Sequence, residues 1–294
     1  MITWTAAGAV ERPRALQVRL QRSYPGRVRA GAPVPTRSMA TDEVVRNLAH
    51  FTEPSTRGRP VDSVVFSGVG AASRSDLAAL CQYARGRGVR RLTLHAGVED
   101  LEGLAAERVP VDTLVLPLQA GESGSNLAAG ARVLARAREI GLSTVANTEL
   151  VASALPVLPG AARVAQAHGA GGLTFTYPFP IDGGQSALAP PPARALAALR
   201  SVVPGLAAAG LRVAIRGLPA CLLGELSPHA GKTGNRWYVD ADHQVDKALL
   251  FFPDLVRFHK ADDCRFCARS EACDGWFASY LRRPGFGKLA PIES

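Results

Sequence analysis

The sequence has few cysteines, few aromatic side chains and no long apolar run. Five cysteines and 6% aromatic residues occur among 294 positions. No uninterrupted apolar stretch approaches the ~20 residues that a membrane-spanning helix needs, so no membrane span is expected. The first 15 residues lack the apolar stretch of a secretory signal peptide, because the charged Glu11 and Arg12 come early. We therefore expect a cytoplasmic protein, where thiols stay reduced.

Three common catalytic motifs are also missing in a suitable context. They are the Gly-x-Ser-x-Gly nucleophile elbow, the phosphate-binding Gly-x4-Gly-Lys loop and the dinucleotide-binding Gly-x-Gly-x2-Gly turn. Gly68 and Gly70 end a predicted strand, but Ala71 and Ala72 follow without the third glycine. The sequence thus carries no motif that indicates a serine hydrolase, a nucleoside triphosphatase or a dinucleotide-dependent dehydrogenase.

Acidic side chains are too few to balance the basic ones, and the net charge is +9 with a pI near 9.8. A basic face can attract nucleic acid, an acidic peptide or an acidic protein partner. No basic patch is interleaved with aromatic residues, so nucleic acid is not an expected partner. An arginine-rich composition is the simpler explanation of the charge. The N-terminal arginines are Arg12, Arg14, Arg19, Arg22, Arg27, Arg29 and Arg37.

Four of the five cysteines lie in the last quarter or so of the chain. Cys264, Cys267 and Cys273 follow the spacing C-x2-C-x5-C, and Cys221 precedes them. A C-x2-C turn points two sulfurs the same way. Two further thiolates complete a four-sulfur cage that suits an iron–sulfur cluster or a structural zinc. Disulfides and inert thiols are the alternatives, and a cytoplasmic location argues against disulfides.

Three basic residues, Lys260, Arg265 and Arg269, flank these cysteines. Positive charge lowers the pKa of a thiol and offsets the negative charge of a cluster bound by four thiolates. It would do the same for zinc, so charge favours a cluster only mildly. Cys81 lies among apolar residues of a predicted helix and is expected in the core.

Strands and helices alternate through the first 216 residues, which predicts a parallel sheet with right-handed crossovers. A barrel, a partial barrel and a doubly wound sheet all fit this alternation. The predicted strands are 15–20, 61–67, 91–95, 111–117, 142–147, 172–177 and 211–216. The predicted helices are 41–50, 75–84, 98–107, 124–140 and 193–208, with helical turns reaching about residue 168.

Ligands bind at the carboxyl ends of the strands in all three architectures. The polar residues at those ends, together with one glycine, are therefore the candidates for a cofactor or substrate site, although ordinary strand-end roles are expected for most. They are Ser67, Gly68, His95, Gln119, Asn147, Glu149, Tyr177 and Arg216.

The alternation stops after Arg216, so we predict one domain over 1–216 and a small extension over 217–294. An extension of this size has little room for its own core, and a metal bound by the four cysteines would stabilise its fold. His243, Asp240, Asp242 and Asp246 could form a separate metal site, but a solvated acidic loop is the favoured interpretation.

Four stretches resemble the radical SAM superfamily, whose fold is a partial (β/α)6 barrel. They are Val64–Ala71, Tyr177–Gly183, Gly217–Cys221, and Cys264–Cys273 with the Asp274, Gly275, Tyr280, Gly285 and Leu289–Ile292 that follow. The resemblance covers nearly the whole chain, and the C-terminal pattern is its most specific part. It implies an α/β, TIM-like partial barrel with a C-terminal auxiliary-cluster extension of the SPASM/twitch type.

Two defining features of that superfamily are absent. The three cysteines of C-x3-C-x2-C, which hold the cluster that cleaves S-adenosylmethionine, should follow the first strand. Residues 21–31 contain Ser23 but no cysteine, and no cysteine occurs before Cys81. Gly68-Val69-Gly70-Ala71 also lacks the glutamate of the family's Gly-Gly-Glu-Pro motif. Because thiolates hold such clusters, the resemblance implies a protein unable to cleave S-adenosylmethionine itself.

The resemblance therefore implies a pseudoenzyme that binds one [4Fe-4S] cluster, or alternatively zinc, through Cys221, Cys264, Cys267 and Cys273. Its expected role is that of a substrate- or partner-binding subunit in a peptide or natural-product modification pathway. Two alternatives stay open. One is an electron-transfer partner of an active radical SAM enzyme. The other is an enzyme that uses the barrel mouth for non-radical chemistry.

Overall fold

The computed structural model describes residues 4–5, 8–9, 13–20, 37–54, 60–68, 70–95, 97, 110–118, 125–178, 189–231, 236–251 and 258–293. The predicted helix over 98–107 and the candidate residue Gln119 lie outside the described residues. The chain divides into two compact units. The first comprises 1–116, 139–143 and 234–252, and the second comprises 117–138, 144–233 and 253–294.

From Ala15 to Arg216 the described strands and helices follow one another in the order that the sequence predicts, and two short strands that were not predicted precede them. The strands are β1 (Trp4–Thr5), β2 (Gly8–Ala9), β3 (Ala15–Arg19), β4 (Ser63–Ser67), β5 (Arg91–His95), β6 (Thr113–Pro117), β7 (Ser143–Glu149), β8 (Gly172–Thr176), β9 (Arg212–Arg216), β10 (Arg236–Val239), β11 (Leu249–Phe251), β12 (Phe258–His259) and β13 (Trp276–Phe277). The α-helices are α1 (Thr41–Thr52), α2 (Leu77–Gly86), α3 (Ser125–Glu139), α4 (Leu158–Ala167), α5 (Pro192–Arg200), α6 (Val203–Ala208), α7 (Ala220–Leu223) and α8 (Ala278–Leu281).

In the first unit, strands β11, β10, β3, β4, β5 and β6 lie side by side in that order. All neighbouring pairs are parallel except β10 and β11, which are antiparallel. One face of this sheet is apolar and carries side chains that are fully buried. They are Leu16, Val18, Val64, Phe66, Leu92 and Leu94.

Helix α1 covers that apolar face. Its buried Val44, Leu48 and Phe51 recur at the spacing of one helical face. The Phe51 ring lies 5.4 Å from the ring of Trp237, and Trp237 is the register partner of Leu16. Because register partners on neighbouring strands share a face of the sheet, α1 packs on the face that carries Leu16. The opposite face carries mostly polar side chains.

In the second unit, β7, β8 and β9 are parallel neighbours. Among the described residues, this unit contains four helices longer than four residues (α3 to α6), the short helices α7 and α8, and four 3₁₀ turns. Helix α5 starts at Pro192, whose fixed φ suits the first helical turn. The 3₁₀ turns are Leu155–Val157, Gly224–His229, Asp262–Phe266 and Ser270–Ala272. Strands β12 and β13 form a separate antiparallel pair.

An aromatic cluster joins the last part of the chain to the end of β8. The ring of Trp276 lies 5.5 Å from Tyr177 and 5.3 Å from Tyr280, and Tyr280 stacks on Phe286 at 5.2 Å. Trp276, Tyr177 and Tyr280 are all fully buried. The Tyr280 hydroxyl also donates a hydrogen bond to the carbonyl of Pro178 at 2.8 Å. These contacts give residues 276–286 a core shared with β8.

The α/β class and the parallel order of the predicted strands are confirmed, while β10 was not predicted. β10 comes from the stretch after Arg216, yet it pairs in parallel with β3. A boundary between a barrel domain over 1–216 and an extension over 217–294 stays a prediction. Within the described residues, no helix is both long and apolar enough to cross a bilayer.

Candidate metal centre

Four cysteines line one cavity in the second unit. Cys221 comes from α7, and Cys264, Cys267 and Cys273 come from the 3₁₀ turns between β12 and β13. The backbone N–H of Cys267 donates to the carbonyl of Cys264 at 3.2 Å, and that of Ser270 donates to Cys267 at 2.9 Å. These consecutive tight turns bring the three sulfurs of C-x2-C-x5-C to one side of the backbone, facing Cys221.

The fifth cysteine belongs to the first unit and has a different environment. Cys81 is fully buried on α2, as the sequence predicts. Burial raises the pKa of its thiol to about 12, with Arg85 lowering it and Asp112 raising it by smaller amounts. Cys81 is therefore a neutral core thiol at neutral pH. All five cysteines lie in the described part of the chain, and none forms a disulfide.

Backbone N–H groups point at the cavity sulfurs. Gly275 donates to Cys273 Sγ at 3.3 Å, and Ala220 donates to the same sulfur at 3.5 Å. Ile292 donates to Cys267 Sγ at 3.3 Å. An N–H dipole aimed at sulfur stabilises a thiolate more than a thiol. The backbone is thus arranged for negatively charged sulfurs.

The thiols influence one another's ionisation. Burial raises the pKa of Cys221, the backbone N–H of Ala290 lowers it, and Cys273 and Cys264 raise it again. Burial likewise raises the pKa of Cys264, while the backbone of Ala261 and the charge of Lys260 lower it. Several thiolates in one cavity repel each other, so this set can be fully ionised only around a cation.

Of the three flanking basic residues, one lines the cavity. Lys260 lies in its wall, and its Nζ donates to the carbonyl of Ser270 at 2.9 Å. Arg265 and Arg269 are exposed, and the Arg265 guanidinium lies 4.7 Å from the ring centre of Phe266. Lys260 is therefore the basic side chain placed to offset charge at the sulfurs.

The donor set of four cysteine thiols suits a four-iron cluster or a single zinc ion. In the described part of the chain, no three His, Cys, Asp or Glu side chains are arranged to hold a metal ion as they stand. A zinc ion needs sulfurs that converge to ~2.3 Å from one point. A [4Fe-4S] cluster uses four thiolates around a larger group, and four cysteine sulfurs with backbone donors line this cavity. Cys221, Cys264, Cys267 and Cys273 would hold it.

Substitution of Gly275 is expected to damage the centre. Gly275 has φ +90°, and a Cβ there would clash with the carbonyl oxygen of His259 and approach Lys260 Cγ at 3.0 Å. Gly275→Ala should therefore cost about 2–3 kcal/mol in free energy of unfolding, because the Cβ clash adds to the backbone strain of a positive φ, and it should displace the N–H that donates to Cys273. Chemical denaturation measures the loss. Gly285→Ala is the control, because Gly285 also has positive φ but a Cβ there meets open space.

The predicted strand-end residues of the first unit lie on the polar face of its sheet. Register pairs Arg19 with Ser67 and Ser67 with His95, which places these three residues on one face. Ser67 is fully buried, and its Oγ accepts a hydrogen bond from Gln17 Nε2 at 3.0 Å. Gly68 follows with φ +124° and begins a turn, since Ala71 N–H donates to its carbonyl at 3.2 Å.

The predicted strand-end residues of the second unit share a face of β7–β9. Glu149 pairs with Thr176, and Thr176 pairs with Arg216. Thr176 Oγ1 donates to Asn147 Oδ1 at 2.8 Å. Burial lowers the pKa of Arg216 and Asp274 opposes this effect. Because more than a third of the Arg216 surface stays exposed, its guanidinium keeps its charge at neutral pH.

Tyr177 is placed differently from its neighbours in the predicted set. Its ring is fully buried against Trp276 and Tyr280, and its hydroxyl donates to the carbonyl of Pro190. Burial raises its pKa, so it remains a neutral phenol. These contacts anchor the aromatic cluster, and ligand binding by Tyr177 stays a prediction, as it does for the other strand-end residues.

Sequence reasoning missed two groups on the polar face of the first unit. Gln17 bonds Ser67, and the Tyr238 hydroxyl accepts a hydrogen bond from Arg19 at 3.2 Å. Gln17 alternates with buried Leu16 and Val18, and that alternation could have predicted its place on the opposite face of the sheet. Tyr238 lies in a strand of four residues, whose pairing with β3 has no local signature.

The acidic loop after β10 is only partly solvated. Asp242 and Asp246 are exposed, as expected for such a loop. Asp240 is 6% exposed and accepts hydrogen bonds from the backbone of Asp242 at 2.9 Å, from the backbone of His243 at 2.8 Å and from His243 Nδ1 at 2.9 Å. Its carboxylate therefore closes a turn, and the interpretation as part of a solvated acidic loop was wrong for this residue.

A parallel α/β protein with a four-cysteine centre near its C-terminus is the class that fold and site define. No family model matches the chain, and no curated protein matches its sequence. Solved structures do match. The chain is 13% identical to Streptococcus suis SuiB bound to precursor peptide SuiA, with a TM-score of 0.61 over 92% of this chain and 73% of that one.

A second match is anSMEcpe with bound AdoMet, at 12% identity and a TM-score of 0.58, covering 96% of this chain and 89% of that one. SuiB bound to S-adenosylmethionine also matches, at 13% identity and a TM-score of 0.57, over 92% of this chain and 75% of that one. SuiB and anSMEcpe are radical SAM proteins. The chain therefore shares the fold of these two proteins, which confirms the expected α/β architecture.

Proposed function

We propose that this protein is a radical SAM-like pseudoenzyme that holds one [4Fe-4S] cluster and serves as a substrate- or partner-binding subunit in peptide or natural-product modification. The observation that carries the proposal is the distribution of cysteines. Four line one cavity with backbone donors, and the fifth is a buried core thiol of raised pKa. The sequence has no cysteine between β3 and Cys81, where the cysteines of an S-adenosylmethionine-cleaving cluster would lie.

The proposed cluster is fully ligated by protein. Cys221, Cys264, Cys267 and Cys273 supply one thiolate for each iron, which leaves no open iron for S-adenosylmethionine. When bound, the cluster would supply a redox centre and a covalent link between α7 and the turns that carry the other three cysteines. Lys260 and the backbone N–H groups would offset its negative charge.

A peptide is the ligand class that the structural neighbours support. SuiB was crystallised with precursor peptide SuiA, and its fold is shared by this chain. Polar side chains lie at the carboxyl ends of the parallel strands within each unit, including Ser67 and His95 in one and Asn147, Glu149 and Arg216 in the other. They are the residues we propose for binding a substrate or an S-adenosylmethionine molecule that is not cleaved.

Metal analysis tests this proposal. Anaerobically purified protein should contain about four irons and four sulfides per chain. After reduction it should give an electron paramagnetic resonance signal that does not change when S-adenosylmethionine is added, because no iron is open. One zinc without sulfide would contradict the cluster. A larger iron content with a signal that shifts on adding S-adenosylmethionine would contradict the pseudoenzyme assignment.

An electron-transfer partner is the second candidate, and the N–H groups directed at the sulfurs favour it. Such donors adjust the reduction potential of a cluster, which matters only to a cluster that changes oxidation state. Reversible one-electron reduction of the loaded protein by a flavodoxin or a ferredoxin is the expected behaviour in that case. A cluster that cannot be reduced at biological potentials would exclude it.

A further inference from the structure

The C-terminal residues 289–292 form one wall of the four-cysteine cavity. Leu289 and Ala290 line it directly. The backbone N–H of Ile292 donates to Cys267 Sγ at 3.3 Å, and the backbone of Ala290 lowers the pKa of the Cys221 thiol. Four consecutive residues without a metal ligand thus act on two of the four cysteines.

Other contacts hold this segment in place. The carbonyl of Ile292 accepts a hydrogen bond from the backbone N–H of Ala268 at 3.0 Å, so the segment runs alongside the turn that follows Cys267. Upstream, Phe286 is buried against Tyr280. A Cβ on Gly287 would lie 3.2 Å from Leu222 Cδ2, next to Cys221. The segment is therefore fixed at both ends, close to two different cysteines.

We infer that the backbone N–H of Ile292 positions and tunes the metal centre by bonding Cys267, making residues 289–292 part of the site rather than a loose tail. This rests on the proposed cluster. An N–H donor disperses negative charge on a ligating sulfur, and the reduced cluster carries one more negative charge than the oxidised one. The donor therefore stabilises the reduced state and raises the reduction potential.

One pair of substitutions isolates the donor. Ile292→Pro removes the N–H and keeps the carbonyl that accepts from Ala268. Ile292→Ala keeps the N–H and removes most of the side chain. The full-length proteins are loaded anaerobically with iron and sulfide, and their midpoint potentials are measured by spectroelectrochemistry. We expect Ile292→Pro to shift the potential to more negative values and Ile292→Ala to keep the wild-type potential.

Equal potentials in all three proteins would overturn the inference, and so would equal shifts in both variants, because the side chain would then be responsible. If Ile292→Pro fails to load, loading replaces potential as the readout: loss in this variant alone supports the inference, and loss in both contradicts it. A wild-type protein without iron and sulfide would overturn the proposed function first. A loaded wild type with unresponsive variants would overturn this inference alone.

Discussion

Cys264→Ser should abolish cluster binding and remove the stabilisation that the cluster gives to the last part of the chain. Serine is a poor ligand for iron, and a cluster held by three thiolates in this cavity would be lost during purification. Structural metal sites in small zinc domains contribute on the order of 10 kcal/mol. We therefore expect loaded wild-type protein to melt well above the variant, and metal-free wild type to melt with it.

The control for this prediction is Cys81→Ala. Cys81 is buried in the first unit, and its truncation should cost about 1 kcal/mol of packing without changing the iron content. Iron and sulfide analysis with differential scanning calorimetry reads out both variants. Full iron content in Cys264→Ser, or a loaded wild type no more stable than that variant, would contradict a four-cysteine cluster.

Trp276→Ala should be the most damaging substitution outside the proposed metal ligands. The side chain is fully buried between Tyr177 and Tyr280. Its indole Nε1 makes no hydrogen bond within the described residues, so the loss is one of packing and of the cavity left behind. Truncation of a buried tryptophan costs about 3–5 kcal/mol. The corresponding fall in melting temperature is roughly 10 °C for a chain of this size.

Two variants make the test specific. Phe266→Ala truncates an aromatic side chain that is 70% exposed and close in sequence to Trp276, so it should change the free energy of unfolding by less than about 0.5 kcal/mol. Trp276→Phe retains a ring and should recover most of the stability. If Trp276→Ala and Phe266→Ala proved equally mild in thermal denaturation, the aromatic cluster would not be the contact that fixes residues 276–286.

The alternation of strands and helices was predictable because each element has its own local pattern. Leu16, Val18 and the apolar residues of β4 and β5 recur at the period of a strand, and each predicted strand starts and ends within two residues of its observed position. β10 was missed for the opposite reason. Arg236–Val239 is too short to show a period, and what makes it a strand is its pairing with β3.

The four-cysteine cavity likewise has some features that a local pattern predicts and others that depend on the fold. The spacing of Cys264, Cys267 and Cys273 predicted three sulfurs on one side of a turn, and these three cysteines do share a cavity with Cys221. The contacts of the Gly275 and Ile292 N–H groups with sulfur could not be predicted, because every residue except proline has such a group. Only the path of the folded backbone decides which of them meet a sulfur.

The pairing of β10 with β3 has a consequence for the time at which the first unit can fold. Arg19 and Tyr238, which this pairing brings into hydrogen-bond contact, are 219 positions apart. At ~5–20 residues per second, a ribosome needs roughly 10–40 s to make that length. Throughout this interval one edge of β3 lacks its native neighbour, and unpaired strand edges are sites of aggregation. The N-terminal unit is therefore completed only after most of the second has been made, and its unpaired edge is exposed for that time.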